Sequence, residues 1–350
     1  MQHVTDRWDL RKDMLFNTAL EEAHWDEATT RWIVRTSGGT TFRVRYLVTA
    51  LGVLSKQNVP NIQGMDTYLG EKYHTGAWPQ DVKLEGKRVG VIGNGSTGIQ
   101  VITAIAKEVG HLVSFQRNPQ YSVPSGQRPV TEAYRQYIND NYSRLWEEAK
   151  DESLFAFGFK ETNRLTFSVK EAERKQIYES AWRKGGGFRF MFDTFGDITL
   201  DEAANHAAAD FIKTKICETV RDPEKARKLL PTQLYARRPI CDSGYYQAFN
   251  RDNVDIVSLQ ETPITTFTPH GIRTKDGKEH KLDVVIFATG FDAVDGNYTR
   301  VAIHGRDGVS LKDHWLPRGP TSYLGISVPQ FPNLFMILGP NGPFCNLYVY

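Results

Sequence analysis

A glycine-rich loop between a strand and a helix is the feature that most constrains how this chain can fold. The stretch GKRVGVIGNGSTGIQVITAIAKEVGHLVSFQRNP contains the loop Gly93-Asn94-Gly95-Ser96-Thr97-Gly98, which fits the pattern GxGxxG. Residues 88–92 form a short apolar run before the loop. Residues 99–109 then have helical spacing, and residues 111–117 have the pattern of a second strand. This order predicts a complete βαβ unit that binds a dinucleotide.

Each glycine of the loop has a separate structural role in such a unit. Gly93 permits the tight turn, Gly95 lets a pyrophosphate approach the backbone, and Gly98 lets the helix pack closely on the strand. The phosphates then lie at the helix N-terminus, where unpaired N–H groups and the helix dipole favour an anion. We therefore predict that the six loop residues, together with Gln100 in the helix, bind a cofactor.

The end of the second predicted strand indicates which nucleotide binds. NAD-binding units usually present Asp or Glu at this point to the ribose hydroxyls, whereas this chain has Gln116-Arg117. A guanidinium suits the additional phosphate of NADP. The alternative is a surface arginine at a strand end, and the preceding glycine loop favours the phosphate contact instead.

The length and charge of the chain limit its number of domains and its classes of partner. The 350 residues suffice for two domains or for one large domain. A formal net charge of +2 gives no field of a single sign, so neither nucleic acid nor an anionic membrane is an expected partner. No apolar run approaches the roughly 18 residues of a membrane span, and the first ten residues lack the apolar core of a signal peptide. We therefore predict a cytoplasmic protein.

The cysteines indicate no metal or redox centre. Cys217, Cys241 and Cys345 are widely spaced and odd in number. This pattern argues against a disulfide framework, a zinc site and a CxxC redox centre. We expect three inert thiols and no bound metal ion.

Two distant segments follow the same pattern of strands. Residues 20–52 and 258–292 each pass from a hairpin into an apolar strand with a glycine at its tip, which is Gly52 in the first and Gly290 in the second. The hairpin turns are predicted at Gly38-Gly39 and Asp276-Gly277. Two such modules imply two dinucleotide-binding halves. No GxGxxG precedes the first module, so we expect the chain to begin within a domain.

A long charged stretch over about residues 125–231 has helical signals. Ser168-x-x-Glu171 fits a capping box, and an apolar helical pattern follows Thr199. Asp222-Pro223 fits an N-cap followed by a first-turn proline, and Gly185–Gly187 interrupt the series. These signals predict a helical insertion within the second half.

The segment just before the βαβ unit, YLGEKYHTGAWPQD, has neither a clear strand pattern nor a clear helix pattern. Taken alone, it is best interpreted as a connecting loop whose glycine and proline set turns. Its position before a GxGxxG changes this interpretation. With that spacing it resembles the fingerprint FxGxxxHxxxWP of the type I Baeyer-Villiger monooxygenases, through Tyr68, Gly70, His74, Trp78 and Pro79. The one departure is Tyr68, which replaces Phe and keeps an aromatic ring.

The resemblance continues over essentially the whole chain. It includes the stretches FQRNPQYSVPSG, LYARRPICDSGYYQAFNRDNV, VVIFATGFDA and FPNLFMILGPNGPF. Cyclohexanone monooxygenase-like members of the family look most similar. The resemblance implies an α/β fold with two dinucleotide-binding, Rossmann-like domains of the flavoprotein monooxygenase type, of which the first is incomplete and the second carries the helical insertion.

The resemblance also assigns the domains. It implies that residues 1–66 are the C-terminal part of an FAD-binding domain and that residues 67–82 are the inter-domain connector. Residues 83–292 would then form the NADP-binding domain, and residues 293–350 would return to the FAD-binding domain. The family's FAD fingerprint has no counterpart here, and the family continues beyond Tyr350. We therefore expect a central portion of an enzyme that does not hold FAD tightly.

The function that the resemblance implies is a Baeyer-Villiger oxidation with FAD, NADPH, O2 and a small ketone, which gives an ester or a lactone. The reactive states are anionic, so the protein must supply a fixed positive donor. By family position this donor is Arg238, while Arg237 contacts the 2′-phosphate of NADP, and His74 is a hinge candidate instead of a base. Without the rest of the resemblance, the arginine pair would be interpreted as a basic surface patch. Five further residues fall where the family approaches its two cofactors: Gly52, Thr289, Gly290, Asn341 and Gly342.

Two alternatives stay open at this point. Flavin-containing monooxygenases that oxidise nitrogen or sulfur share the two-domain plan, but they usually carry Tyr or Phe followed by a basic residue where this chain has Trp78-Pro79. A chain that binds NADP without catalysis is the second alternative, and it is favoured by the missing first fingerprint. Disulfide reductases share the architecture but need paired cysteines, which the sequence lacks.

Overall fold

The structure is a computed structural model that describes residues 1–52, 54–154, 156, 158–293 and 296–342. Its α-helices are α1 (Gln2–Arg7), α2 (Ser96–Ile105), α3 (Glu132–Asp140), α4 (Tyr142–Asp151), α5 (Glu171–Lys184), α6 (Gly187–Phe192), α7 (Glu202–Thr219), α8 (Pro223–Leu229), α9 (Tyr245–Ala248) and α10 (Leu311–Trp315). Short 3₁₀ turns lie at Leu10–Asp13, Thr75–Ala77, Thr166–Ser168 and Arg306–Gly308.

The β-strands of the described residues are mostly short. They are β1 (Leu20–Asp26), β2 (Arg31–Thr36), β3 (Thr41–Val44), β4 (Leu47–Thr49), β5 (Glu71–His74), β6 (Arg88–Ile92), β7 (His111–Gln116), β8 (Ser122–Pro124), β9 (Ile240–Asp242), β10 (Val254–Ser258), β11 (Ile264–Thr268), β12 (Gly271–Thr274), β13 (Glu279–Lys281), β14 (Val284–Phe287), β15 (Ala302–His304) and β16 (Leu334–Met336). The chain divides into two compact units, Met1–Gln57 with Phe291–Tyr350 and Asn58–Gly290.

The second unit, Asn58–Gly290, is built on a five-stranded parallel sheet in the order β10-β7-β6-β14-β5. Its central strands are buried almost throughout because both faces of the sheet are covered. Val89 and Val91 pack against α2 and the helical segment, whereas Val113 and Phe115 pack against the three-stranded sheet β11-β12-β13. The predicted βαβ unit is confirmed as β6, α2 and β7.

The predicted helical insertion is confirmed as α3 to α8, and details of its helix ends differ from expectation. Asp222 caps α8 as predicted, since its Oδ1 accepts hydrogen bonds from the backbone N–H groups of Glu224 and Lys225. The predicted capping box of α5 is wrong, because Lys170 is the N-cap and the Ser168 hydroxyl donates to the Leu165 carbonyl instead. The hydroxyl bonds to a nearby backbone carbonyl and is therefore not available to cap the helix.

The first unit, Met1–Gln57 with Phe291–Tyr350, contains a sheet in the order β15-β1-β2-β3 and a separate parallel pair, β4 and β16. Strands β1, β2 and β3 are antiparallel neighbours, and β15 lies parallel to β1. Trp32 is fully buried in this core, and its indole N–H donates to the Pro332 carbonyl at 2.8 Å.

The prediction that two distant segments follow the same pattern of strands is confirmed. In one segment the antiparallel strands β1, β2 and β3 are followed by β4, and in the other β11, β12 and β13 are followed by β14. The predicted turns fall between β2 and β3 and between β12 and β13. None of the helices within the described residues is long and apolar enough to cross a membrane.

Candidate functional site

Two glycines of the loop after β6 are required by the packing of the protein itself. Gly93 has φ = 105°, and a Cβ at this position would collide with the backbone carbonyl oxygen of Ala288, just after β14. A Cβ on Gly98 would collide with the carbonyl oxygen of Gly93. Both glycines therefore allow the close approach of β6, α2 and the end of β14.

Gly95 has a different environment, which points to a ligand. Its backbone is extended, with φ = −71° and ψ = −172°, and a Cβ built on it would have no atom within 4 Å. The residue is the N-cap of α2, without a side-chain cap and without an acidic residue in the first turn. The exposed Ser96 and Thr97 follow. This helix end thus has the open space and the N–H groups that a phosphate needs.

Asn94 and Gln116 fix the loop against the end of β7. The buried Asn94 amide donates to the Gln116 side-chain oxygen at 3.1 Å and to the Asn118 carbonyl at 2.8 Å. Gln116 in turn donates to the Lys228 carbonyl at 2.5 Å. The sequence pattern predicts Gln116 only as the end of a strand and does not reveal its positioning role. The signal available in the sequence was a polar residue at the end of an apolar strand next to a glycine loop.

Arg117 follows the last residue of β7 and is exposed to solvent. Gln116 occupies the strand end where an acidic residue would face a ribose, and its side chain is committed to the contacts with Asn94 and Lys228. Gln100 is also exposed, one turn along α2 from Ser96. The mouth of the predicted nucleotide site therefore carries a cation and no carboxylate at the strand end.

Arg237 and Arg238 line a shallow pocket together with Gln120 and Tyr121, which lie in the connection after β7. Both arginines are exposed, and the Arg238 guanidinium lies 5.8 Å from the centre of the Phe188 ring. The Tyr121 hydroxyl donates to the Gln233 carbonyl at 2.8 Å, and burial raises the pKa of Tyr121 to about 12. This phenol is therefore a neutral donor near pH 7 and not a base.

Asp242 holds the segment that follows the two arginines. It ends β9, which pairs in parallel with β8 so that Cys241 lies opposite Val123. One carboxylate oxygen accepts from the Ser122 hydroxyl at 2.6 Å, and the other accepts from the N–H of Tyr245 at 2.8 Å. Arg238 thus extends from a chain that is anchored four residues later, at Asp242, which limits how far its backbone can move.

Tyr68, the first residue of the fingerprint before β6, is buried and packed. The Tyr68 hydroxyl donates to the Leu282 carbonyl at 3.2 Å, and its ring meets Phe267 edge to face. Gly70 is required here, since a Cβ would collide with the Tyr68 ring and would lie 2.6 Å from the Asp283 carbonyl oxygen. Packing alone accounts for these two residues.

His74 connects the fingerprint to the tip of β14. Its Nδ1 accepts the N–H of Gly76 at 3.0 Å, so the proton is on Nε2, which donates to the Gly290 carbonyl at 3.0 Å. The side chain is buried. Gly290 is the last residue of the second unit, so His74 holds the point at which the chain leaves that unit.

We expect His74→Ala to lower the free energy of unfolding by about 1 to 3 kcal/mol, because it removes a buried side chain together with its two hydrogen bonds, to the Gly290 carbonyl and from the Gly76 N–H. Urea denaturation measures this change, and His206→Ala on the exposed face of α7 is the control. A His74→Ala variant as stable as the parent protein would contradict this anchoring role.

The remaining fingerprint residues, Trp78 and Pro79, are exposed, and packing does not explain them. Trp78 is 42% exposed, and the centre of its ring lies 5.9 Å from that of Tyr73. The prediction that this segment lacks a regular strand is wrong for Glu71–His74, which forms the edge strand β5. Pairing with β14 supplies its hydrogen bonds, and local sequence could not reveal that partner.

The other predicted cofactor residues follow β14 in the second unit and β16 in the first unit. Thr289 follows β14, and its hydroxyl donates to the Asn58 carbonyl. The Gly290 carbonyl accepts from the Asn58 N–H at 2.9 Å as well as from His74. Asn341 belongs to the first unit, has φ = 60°, and accepts a hydrogen bond from the Ser322 N–H at 3.2 Å. Thr289 and Gly290 therefore lie at the carboxyl end of the same sheet as the glycine loop, whereas Asn341 lies in the other unit.

Comparison with characterised proteins identifies relatives along nearly the full chain. A Baeyer-Villiger monooxygenase of Pseudooceanicola batsensis is 51% identical over 99% of this chain and 63% of its own length. The phenazine N-monooxygenase PhzNO1 of Lysobacter antibioticus is 50% identical over 99% of this chain and 64% of its own length. The chain thus spans less than two thirds of the curated relatives that it matches. No protein-family model matches the sequence.

Solved structures agree with these relatives. Cyclohexanone monooxygenase from Rhodococcus sp. Phi1 bound to NADP+ is 55% identical, with a TM-score of 0.95 over 99% of this chain and 65% of that one. OTEMO in complex with FAD and NADP is 36% identical, with a TM-score of 0.93 over 99% of this chain and 66% of that one. The predicted α/β architecture with Rossmann-like domains is confirmed by these neighbours.

Proposed function

Because the chain belongs to the Baeyer-Villiger monooxygenase family, we propose that it acts as an NADPH- and FAD-dependent monooxygenase that inserts one oxygen atom of O2 next to a ketone carbonyl. The product would be an ester or a lactone. The observation that carries this proposal is the 51% identity over 99% of the chain, which includes the glycine loop, the fingerprint and the arginine pair. When bound, NADPH and FAD supply the reducing equivalents and activate the oxygen.

We assign NADPH to the second unit. The open backbone at Gly95 fits the pyrophosphate, and the exposed N-terminus of α2 offers N–H groups to it. Arg117 and Arg237 would contact the 2′-phosphate, with Ser96, Thr97 and Gln100 along the same edge of the loop and helix. A dinucleotide bound beyond the carboxyl ends of β6 and β14 would also lie next to Thr289 and Gly290.

A preference for NADP over NAD follows from the cation at the end of β7. Each charge-assisted hydrogen bond contributes about 1.5 to 3 kcal/mol, so Arg117→Ala should reduce the preference for NADP by about 10- to 150-fold. Titration of the parent and the variant with NADP and NAD measures this ratio. Arg128→Ala, at another exposed arginine, is the control. Equal affinities of the parent protein for the two nucleotides would overturn the assignment.

We assign FAD to the first unit. Strands β4 and β16 are parallel and end side by side at Thr49 and Met336, and ligands of open α/β sheets bind beyond such carboxyl ends. Gly52, with φ = 73°, follows the first of these strands, and Asn341 follows the second. Both residues adopt left-handed backbone conformations, which supports tight turns beside a cofactor.

Arg238 is the residue that we assign to the chemistry. Oxygen insertion passes through anionic states, and a guanidinium held beside them lowers their energy more than that of the neutral ketone. The anchoring of β9 by Asp242 supports a fixed position for this donor. Arg237 and Arg117 would bind the nucleotide, and His74 would act as a hinge at the end of the second unit and take no proton from the substrate.

Oxidation of a ring nitrogen is the second candidate, because a relative named as a phenazine N-monooxygenase is 50% identical to this chain. The exposed Trp78-Pro79 pair favours the ketone reaction. Incubation of the protein with excess FAD, NADPH, O2 and either cyclohexanone or phenazine separates the two activities by mass spectrometry of the products. A lactone supports the first proposal, and an N-oxide without a lactone supports the second.

A chain that binds NADP without catalysis is the remaining alternative. It predicts that NADP binds but that the visible spectrum of the protein mixed with FAD shows only unbound flavin. Gel filtration followed by an absorbance spectrum distinguishes bound flavin from unbound flavin. Flavin that stays with the protein and turns over NADPH would exclude this alternative.

A further inference from the structure

A cluster of Glu22, His24 and His304 lies on the sheet of the first unit, outside the residues assigned to the cofactors. Strands β1 and β15 run parallel there, and His24 lies directly opposite His304 in the register. The two imidazole rings stack with their centroids 4.6 Å apart and an angle of 11° between their planes. Glu22, two residues before His24, projects from the same face of β1.

The three side chains bring metal-binding atoms together. One nitrogen of each histidine and one carboxylate oxygen all lie within 4.8 Å of one another. Ligand atoms around a tetrahedral Zn²⁺ are about 3.3 Å apart, given bonds of about 2.0 to 2.1 Å. Small rotations of the side chains would therefore close the site. Its three members are half-buried, so an ion can enter from solvent.

Neighbouring groups hold two of these side chains in orientations that suit a metal. Arg35, opposite Glu22 on β2, contacts one carboxylate oxygen at 2.6 Å and leaves the other, Oε1, directed at His24. The Gly308 carbonyl lies 3.2 Å from Nδ1 of His304. A carbonyl only accepts, so the proton is on Nδ1 and the lone pair of Nε2 is available to a metal. Such a hydrogen bond to the distal nitrogen is typical of metal-binding histidines.

The Glu22 carboxylate carries the charge that the site requires. Its two oxygens are directed at His24 and at the Arg35 guanidinium. In the structure His24 directs Nε2 at this carboxylate. A metal ion would take the place of the proton between these two atoms, and the imidazole of His24 would then carry its proton on Nδ1, because the nitrogen that binds a metal must be deprotonated.

We propose that Glu22, His24 and His304 bind one divalent first-row transition-metal ion. Two imidazole nitrogens and one carboxylate oxygen suit Zn²⁺ and its neighbours, whereas Mg²⁺ and Ca²⁺ prefer oxygen ligands throughout. Three protein ligands leave a fourth position for water. Bound metal would link β1 to β15, which come from the two separate chain segments of the first unit, and would stabilise their pairing.

Titration of the tag-free, metal-depleted protein with Zn²⁺ tests this proposal. Isothermal titration calorimetry should give one ion per chain and a higher Tm with Zn²⁺ present. His24→Ala and His304→Ala should each weaken the binding at least tenfold, since each removes one of three ligands. His24→Gln and His304→Gln keep a polar side chain of similar length, and they replace the alanine variants in the titration if those fold poorly.

The matched control is His206→Ala. His206 pairs with Glu202 on α7, and this pair does not include a second histidine. This variant should bind Zn²⁺ as the parent does. No stoichiometric binding, or equal binding by the His24 and His304 variants and the parent, would overturn the proposal. A weakened affinity in only one of those two variants would also overturn the three-ligand site.

Discussion

Replacement of Arg238 by alanine is expected to lower ester formation by about 100- to 1,000-fold, the range observed when one donor to a developing oxyanion is removed. The reactive states carry a negative charge that the ketone lacks, so the guanidinium stabilises them selectively. NADPH affinity should change much less, because Arg237 and Arg117 are assigned to the phosphate. Because this chain is not expected to hold FAD tightly, the measurement is made on a chain extended by the family's FAD fingerprint. Rapid-mixing kinetics of that protein, followed by product analysis, separates binding from oxygen insertion.

Two further variants make the Arg238 experiment specific. Arg238→Lys keeps the charge but loses the planar guanidinium, so it should recover only part of the activity. Arg237→Ala removes the neighbouring cation of the same pocket and should weaken NADPH binding more than it slows oxygen insertion. Ester formation by Arg238→Ala at the parent rate would remove the catalytic assignment, and the arginine pair would then be a basic surface patch.

Replacement of Gly95 by aspartate should weaken NADP binding about 100-fold or more without loss of stability. A carboxylate there would meet the pyrophosphate, and a juxtaposition of like charges costs several kcal/mol. A Cβ at this position has no atom within 4 Å, and aspartate is a good N-cap, so α2 should be as stable as before or slightly more stable. NADP titration and urea denaturation measure the two effects separately.

Matched variants separate charge, packing and ligand contact in this experiment. Gly38→Asp adds the same charge in the open turn between β2 and β3 and should leave NADP binding unchanged. Gly98→Ala should lower stability, because its Cβ would collide with the Gly93 carbonyl. NADP affinity of Gly95→Asp within about threefold of the parent would place the pyrophosphate elsewhere.

Features that depend on neighbouring residues in the chain were predictable from the sequence. Apolar runs of strand and helix length on either side of GxGxxG fix β6, α2 and β7, because each element satisfies its own periodicity. Paired turn residues fix the hairpins at Gly38-Gly39 and Asp276-Gly277 for the same reason. The cap at Asp222 needs only the two N–H groups that follow it.

Features that depend on contacts between distant residues appeared only in the tertiary structure. The sequence predicts a tight turn at Gly93, but only the structure shows that the backbone this glycine must clear is the Ala288 carbonyl, at the end of the distant strand β14. Strand β5 exists because β14 offers it hydrogen-bonding partners, although its own residues do not have a clear strand pattern. His24 and His304 become neighbours only through the register of β1 and β15. Local periodicity thus determined the elements of this protein, whereas pairing and packing between distant segments decided which of its side chains can act together.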